Sequence, residues 1–135
     1  MDTQPIPAPP QALAGVRICD FCGQLAGAGA TKWLAAFGAE VIRIEDPVRE
    51  GRWDILRGIG PFVDERRGIE FGGGYNNHNV EKLGITINLK TERGKELLTE
   101  IVRQSDWRTS SASICLPRSV RRLIVTPSFS VLWLL

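Results

Sequence analysis

Cysteine and histidine are scarce in this chain of 135 residues, which contains three Cys and one His. Three cysteines are too few for the disulfide framework that holds many small secreted domains together. No apolar run reaches the ~18 residues that a membrane-spanning helix needs. The first residues, MDTQPIPAPPQALAG, contain neither a basic segment nor an apolar one, so they do not resemble a secretory signal. We therefore expect a cytoplasmic protein that has no membrane partner.

Positive and negative charges nearly balance each other, because Lys and Arg total 17 and Asp and Glu total 15. Nucleic-acid-binding domains concentrate basic residues on one face, so this composition predicts no nucleic-acid partner. The balance changes at residues 107–135, which hold four Arg but no Lys, Gly, Asp or Glu. We therefore divide the chain into a Pro-rich leader at 1–12, a folded segment at 13–106 and an anomalous tail at 107–135.

Apolar patterns between residues 15 and 45 predict a strand, a helix and a second strand. The segments GVRICD at 15–20 and EVIRIE at 40–45 are short and apolar, which is typical of strands. A helix is predicted from Ala26, and Gly38 ends it as a C-cap. The apolar residues of this helix recur at the spacing of one helical face: Ala30, Trp33, Leu34 and Phe37. A strand–helix–strand unit of this kind places its two strands in parallel.

A second strand and helix follow a long excursion at 46–82, which we interpret as a surface loop with one short helix. His78 is predicted to lie in this loop among asparagines that serve turn geometry. ITINLK at 85–90 alternates as a strand does, and Thr91 is a good N-cap for a helix from Glu92. The apolar face of that helix is predicted to contain Leu97, Leu98, Ile101 and Val102. A buried strand should follow Asp106, but WRTSSAS is too polar for one, so we predict that this strand is missing.

The glycine-rich turn after the first strand partly matches a dinucleotide-binding fingerprint. Gly27 and Gly29 are present, and Glu45 ends the next strand about where a ribose-binding acid would stand. The third glycine of the fingerprint is absent. We favour a turn that allows close packing of the helix on the strand over a site for NAD.

Cys19 and Cys22 form a CxxC pair, which is compatible with zinc or with redox chemistry. A zinc site would need four ligands, and His78 and Cys115 are the other candidates. The chain has no second CxxC, and Cys115 lies in the anomalous tail. We therefore predict no metal, and we interpret the two cysteines as small, partly buried residues at a strand end.

Four stretches between Leu13 and Asp106 carry a resemblance to a known family: LAGVRICDF, QLAGAGAT, LAAFGAEVIRIEDP and YNNHNVEKLGITINLKTERGKELL. They resemble the N-terminal segment of the family III CoA-transferases, which include formyl-CoA and carnitine-CoA transferases, with α-methylacyl-CoA racemases as relatives. The resemblance implies an α/β fold, here a partial Rossmann-like parallel sheet with flanking helices. It implies coenzyme A as the cofactor, an acyl-CoA and a carboxylic acid as substrates, and a homodimer in the full-length family.

The resemblance also implies two stretches of CoA contacts, each of which follows a strand. The first stretch is Leu25 and Ala26, beside Gly27. The second stretch is Ile87, Asn88, Leu89 and Lys90. In it, Lys90 would act as a point charge for a phosphate, and the apolar residues would line the adenine. Asp46 stands where formyl-CoA transferase-like members place an Arg, so that contact is lost or moves to a neighbour such as Arg49.

The family transfers CoA through a mixed anhydride and then a thioester on a catalytic Asp, which is nucleophilic catalysis by a carboxylate. That Asp lies beyond residue 106 in the family, and no residue of this chain matches it. We expect residues 107–135 to be read out of frame, and the chain to be a truncated fragment that is inactive alone and prone to associate. The alternative is a non-catalytic α/β module that binds CoA or an adenine nucleotide.

Overall fold

Four parallel strands form one sheet in the computed structural model, which describes residues 10–52 and 54–109. The strands are β1 (Arg17–Asp20), β2 (Glu40–Glu45), β3 (Leu83–Thr86) and β4 (Trp107–Thr109). The helices are α1 (Leu25–Ala36), α2 (Gly73–His78) and α3 (Glu92–Arg103). The strand order is β3-β2-β1-β4, and every neighbouring pair is parallel. The predicted α/β class with a parallel sheet is confirmed.

The first strand–helix–strand unit forms as the sequence predicts. β2 occupies the predicted residues, and α1 begins one residue before Ala26. Gly38 lies just after α1 with φ of 100°, a left-handed conformation that glycine adopts without steric cost. Its N–H donates to the carbonyl of Ala35 (2.8 Å), so one of the last helical carbonyls is satisfied.

The face that α1 buries is the predicted one only at Leu34, which is partly buried and packs against the core. Trp33 and Phe37 expose 61% and 55% of their surface, and Ala30 is exposed as well. Instead the sheet covers three small residues: Ala28, Thr31 and Ala35. These small side chains, rather than the large aromatic ones, are buried because they let the helix lie close to the sheet. A Cβ at Gly27 would collide with the side chain of Cys22, which supports the packing interpretation of this glycine-rich turn.

The second strand and helix are partly as predicted. Thr91 caps α3 by accepting a hydrogen bond from the N–H of Gly94 (3.1 Å). Leu98 and Val102 are fully buried, but Leu97 of the predicted apolar face is 43% exposed. β3 covers residues 83–86 rather than 85–90, because pairing with β2 ends where that strand ends, at Glu45. The core beneath α3 is made of Cys19, Phe21, Ile44, Ile87, Leu98 and Val102.

The prediction that no strand follows Asp106 is wrong. β4 pairs in parallel with β1, and residues 107–109 lie opposite 18–20. Asp106 makes the connection, since its N–H donates to the carbonyl of Arg17 and its carboxylate accepts from the N–H of Arg17, both at 2.8 Å. A ladder of main-chain hydrogen bonds needs no apolar run, so three residues complete it. Residues 110–135, which include most of the predicted anomalous tail, lie outside the described residues.

In the described part of the excursion, residues 46–52 and 54–82, there are three short 3-10 turns and one short helix, α2, as predicted. Asp46 and Asp54 begin two of these turns, because their carboxylates accept hydrogen bonds from the N–H two residues later, each at 2.8 Å. Asn76 and Asn77 lie within α2 rather than in a turn, which corrects that part of the prediction. None of the helices in the described segments is long and apolar enough to cross a bilayer.

Candidate functional site

Both stretches predicted to contact CoA lie at the carboxyl edge of the sheet. Leu25 and Ala26 begin α1 directly after β1, whereas residues 87–90 follow β3. One strand, β2, lies between β1 and β3 in the sheet. Because neighbouring strands are separated by about 4.8 Å, the two strand ends are about 10 Å apart. The fold therefore brings the two stretches to one edge.

The strand order places a topological switch point beside β1. The chain runs outward from β1 through β2 to β3, and β4 then pairs with the opposite edge of β1. In open α/β sheets, ligands bind outside the carboxyl ends of the strands at such a point, and the order 3-2-1-4 is that of a Rossmann sheet. The sequence did not predict this crevice, because it did not predict β4.

The beginning of α1 lies at this switch point and is open to solvent. Leu25 is 54% exposed, and Ala26 is exposed as well. The preceding residue, Gln24, occupies the N-cap position, but its side chain makes no capping hydrogen bond. The first turn also contains no acidic residue. The N–H groups of this turn are thus not engaged by a side-chain cap, and the helix dipole favours a negative group here.

The second stretch forms a tight corner between β3 and α3. Asn88 organises it, because its side-chain Oδ1 accepts from the N–H of Lys90 (3.0 Å) and its carbonyl accepts from the Thr91 hydroxyl (2.9 Å). Ile87 is only 6% exposed, and its side chain packs in the core beneath α3 with Leu89 against it. Lys90 is exposed. Of the four residues, Lys90 therefore presents its side chain to solvent, whereas Ile87 offers mainly its backbone.

A buried ionic network lies between this edge and the excursion, and it was not predicted from the sequence. At its centre is Arg43 of β2, which is 2% exposed. Its guanidinium donates to the carboxylate of Asp54 (2.5 Å), the carbonyl of Cys22 (2.6 Å), the side-chain oxygen of Asn79 (2.9 Å) and the carboxylate of Glu45 (3.0 Å). The one available signal was an arginine inside an otherwise apolar strand, since buried charges require partners.

Glu45, at the end of β2, is the acceptor that joins the excursion to the sheet. Arg57 donates to both of its carboxylate oxygens (2.9 and 3.0 Å), and the Tyr75 hydroxyl donates to one of them (2.7 Å). Burial by itself would raise the pKa of Glu45, but the hydrogen bonds from Tyr75, Arg57 and Arg43 outweigh burial and lower it. Because its carboxylate is engaged internally, Glu45 does not fit the role of a ribose-binding acid.

A second group of buried polar residues lies under the start of α1. The ammonium of Lys82 contacts the carboxylate of Asp20 (3.2 Å), and Thr31 donates to the same carboxylate (2.7 Å). Lys82 also donates to the carbonyl of Ala28 (2.8 Å). Burial lowers the pKa of Lys82, against the opposing effect of Asp20. These contacts fasten α1 to the end of β1 and hold the switch point in shape.

Tyr75 provides a direct test of the network, because it is the single tyrosine of the chain. Burial and its hydrogen bond to Glu45 raise the pKa of Tyr75 to about 12. In the unfolded chain it should ionise near its ordinary value of about 10. The unfolded state thus loses its proton first, so folding should lose stability between about pH 10 and 12.

We expect ultraviolet absorbance of the phenolate, after rapid pH jumps, to give a midpoint well above the one measured in concentrated urea. Equal midpoints in buffer and in urea would contradict the network at Glu45. The urea sample is the matched control, because the same single tyrosine ionises in both samples.

The remaining predicted residues take structural positions. His78 ends α2, and its ring Nδ1 lies 2.9 Å from the carbonyl oxygen of Gly74. Cys19 and Cys22 are buried thiols, and Cys115 lies outside the described residues. Within residues 10–52 and 54–109 no group of three or more His, Cys, Asp or Glu is arranged to hold a metal ion. Asp46 is used as a turn cap, and Arg49 is exposed at the end of that turn.

Comparison with known proteins agrees with this architecture. The sequence model of CoA-transferase family III matches residues 13–113. The formyl-CoA:oxalate CoA-transferases of Streptomyces avermitilis and Bradyrhizobium diazoefficiens are 40% and 41% identical to the chain over 96 residues. Each match covers 71% of this chain but only 22% and 21% of the relative. The chain therefore spans about a fifth of the length of the curated relatives it matches.

Solved structures also resemble this chain. An orthorhombic crystal form of Rv3272 from Mycobacterium tuberculosis superposes with a TM-score of 0.66 at 26% identity, over 89% of this chain and 31% of that one. A CAIB/BAIF family protein from Brucella suis gives a TM-score of 0.61 at 28% identity, over 74% of this chain and 25% of that one. The family match starts at Leu13, as the resemblance predicted, and continues past Asp106 to residue 113. The chain belongs to CoA-transferase family III.

Proposed function

We propose that this chain provides the first part of the CoA-binding edge of a family III CoA-transferase. The reaction would transfer CoA between an acyl-CoA and a carboxylic acid through an aspartyl anhydride and an aspartyl thioester. We assign no catalytic residue within the chain, because the aspartate that the resemblance implies would follow residue 106. The observation that carries the proposal is the shared position of the two predicted contact stretches at the carboxyl edge beside the switch point.

In this proposal the two stretches have different tasks. The uncapped first turn of α1, at Leu25 and Ala26, supplies main-chain N–H groups and the positive end of the helix dipole to a phosphate of CoA. Lys90 adds a point charge from the corner after β3. The corner is preorganised by the hydrogen bonds of Asn88, so little ordering is needed when CoA binds.

Lys90→Ala should weaken CoA binding about fivefold, since an exposed charge pair contributes up to about 1 kcal/mol. The matched control is Arg103→Ala, which removes one positive charge at the opposite end of α3, where the side chain is 70% exposed. Calorimetric titration of the 135-residue chain with CoA measures both variants. Equal affinities for Lys90→Ala and the unmodified chain would remove Lys90 from the proposed site.

The alternative function, a non-catalytic module that binds CoA or an adenine nucleotide, uses the same edge. Turnover separates the two functions. The purified chain can be incubated with an acyl-CoA and a range of carboxylic acids, and new thioesters sought by mass spectrometry. We expect no transfer by this chain alone. Thioester formation that depends on the chain would show that the complete catalytic apparatus lies within its 135 residues, and it would refute the assignment of the aspartate to a position outside them.

A further inference from the structure

A carboxylate stands in the middle of the proposed CoA-binding edge. Asp46 directly follows β2, the strand that lies between β1 and β3. β1 and β3 precede the two predicted contact stretches, and each lies one strand spacing, about 4.8 Å, from β2. The second stretch is tied to this point, because the N–H of Ile87 donates to the carbonyl of Glu45 (3.0 Å). A ligand that spans both stretches must therefore cross the end of β2, where Asp46 stands.

Asp46 is the accessible member of three acids that stand at the ends of β1 and β2. Asp20 is fully buried and contacts the ammonium of Lys82. The carboxylate of Glu45 is engaged by Arg57 and by a tyrosine hydroxyl. Asp46 is partly exposed, and it forms no ion pair with any residue in the ranges 10–52 and 54–109. Its negative charge is therefore not compensated by a salt bridge within these ranges.

The turn after β2 holds one oxygen of this carboxylate in place. Oδ1 of Asp46 accepts a hydrogen bond from the N–H of Val48 (2.8 Å), which orients the side chain. Oδ2 accepts no hydrogen bond from the part of the chain that the structure describes. An ionised carboxylate only accepts hydrogen bonds, so Oδ2 can bind a hydroxyl group of a ligand but repels a phosphate.

We propose that Asp46 makes this edge favour an adenine nucleotide whose ribose carries no phosphate. With the diphosphate of the ligand at the first turn of α1, the ribose lies at the end of β2, as in other Rossmann-like sheets. An acid at this place accepts a hydrogen bond from a ribose hydroxyl, whereas an arginine accommodates a ribose phosphate. CoA carries a phosphate on the 3′-oxygen of its ribose. CoA therefore binds, but less tightly than the same molecule without that phosphate.

This inference rests on the proposed function, because it concerns the nucleotide bound at the same edge. Two cations there attract any phosphate: Lys90 is exposed in the corner after β3, and Arg49 is exposed three residues after Asp46. A substitution of Asp46 leaves both cations in place, so they act alike on the variant and on the unmodified chain. The ratio of the affinities for two ligands, compared between these two chains, isolates the effect of Asp46.

Asp46→Asn tests the proposal, because asparagine keeps an oxygen that accepts from the N–H of Val48 and removes only the charge. Calorimetric titrations of each 135-residue chain with CoA and with dephospho-CoA give one ratio of dissociation constants per chain. The unmodified chain should bind dephospho-CoA at least as tightly as CoA. In Asp46→Asn the ratio should shift about fivefold in favour of CoA, as expected for removing one partly exposed like-charge contact.

Glu100→Gln is the matched control, because it removes one negative charge from a side chain that is 59% exposed. Glu100 lies in the C-terminal half of α3, and a helix that follows a parallel strand runs back toward the opposite edge of the sheet. Its ratio should stay within about twofold of that of the unmodified chain. A partly unfolded sample weakens the binding of both ligands by the same factor, so the ratio stays valid.

Two results would overturn the proposal and leave the CoA-binding edge intact. One is tighter binding of CoA than of dephospho-CoA by the unmodified chain. The other is a ratio in Asp46→Asn that lies within about twofold of the unmodified one. Absence of binding by both ligands up to about 5 mM would refute the proposed edge itself, and this inference with it.

Discussion

Arg43→Gln should lower the free energy of unfolding by about 3–5 kcal/mol, the cost typical of removing one partner from a buried ion pair. The substitution leaves the carboxylate of Asp54, which is fully buried, without its counter-charge. It also removes donors from the carbonyl of Cys22 and the side chain of Asn79. Small domains unfold with a total free energy of about 5–15 kcal/mol, so this single change should remove a large part of the stability of the fold.

Urea unfolding followed by tryptophan fluorescence and far-ultraviolet circular dichroism measures the effect. Arg93→Gln is the matched control, because the Arg93 side chain is 76% exposed and forms an exposed ion pair with Glu96 at 3.2 Å. The control should change stability by less than about 0.5 kcal/mol. A loss below about 1 kcal/mol in Arg43→Gln would show that the network contributes little to stability.

Gly94→Ala should destabilise the chain by about 1–3 kcal/mol, even though alanine favours helices more than glycine does. Gly94 lies in the first turn of α3 directly against the corner after β3. A Cβ there would overlap the carbonyl oxygen of Asn88 and lie 2.8 Å from its carbonyl carbon. Both are backbone atoms, so the helix or the corner must move. Because the corner holds Lys90, the same variant should also weaken CoA binding.

Gly29→Ala provides the comparison, since Gly29 is also helical but its added Cβ would meet only the His78 ring at an ordinary 3.6 Å. The free energy of unfolding of that variant should rise by up to about 1 kcal/mol, because alanine has a higher helix propensity than glycine. Thermal or urea unfolding of the two variants side by side gives the sign of each effect. If both alanines stabilise the chain equally, the close approach of α3 to Asn88 does not exclude a Cβ at position 94.

Local patterns were enough for part of the fold. The strand at 40–45, the cap at Thr91, the stop at Gly38 and the parallel class all depend on neighbours within a few residues, which is the range that periodicity and capping report. The family resemblance likewise needs only the order of residues along the chain. Membership in CoA-transferase family III was therefore predictable before the structure, and the family match confirms it.

Three-dimensional packing decided the rest. The order of residues did not show that α1 would bury its small residues and leave Trp33 exposed, because that depends on how closely the helix approaches the sheet. It did not predict β4 either, since the open edge of β1 accepts any backbone of suitable geometry.

The buried network is the clearest example of what the tertiary structure alone determined. Arg43 obtains its partners from positions 11 and 36 residues further along the chain, Asp54 and Asn79. Glu45 likewise accepts hydrogen bonds from Arg57 and Tyr75, which lie 12 and 30 residues further along the chain. Charge compensation in a buried site depends on distance in space, and a one-dimensional sequence does not contain that distance.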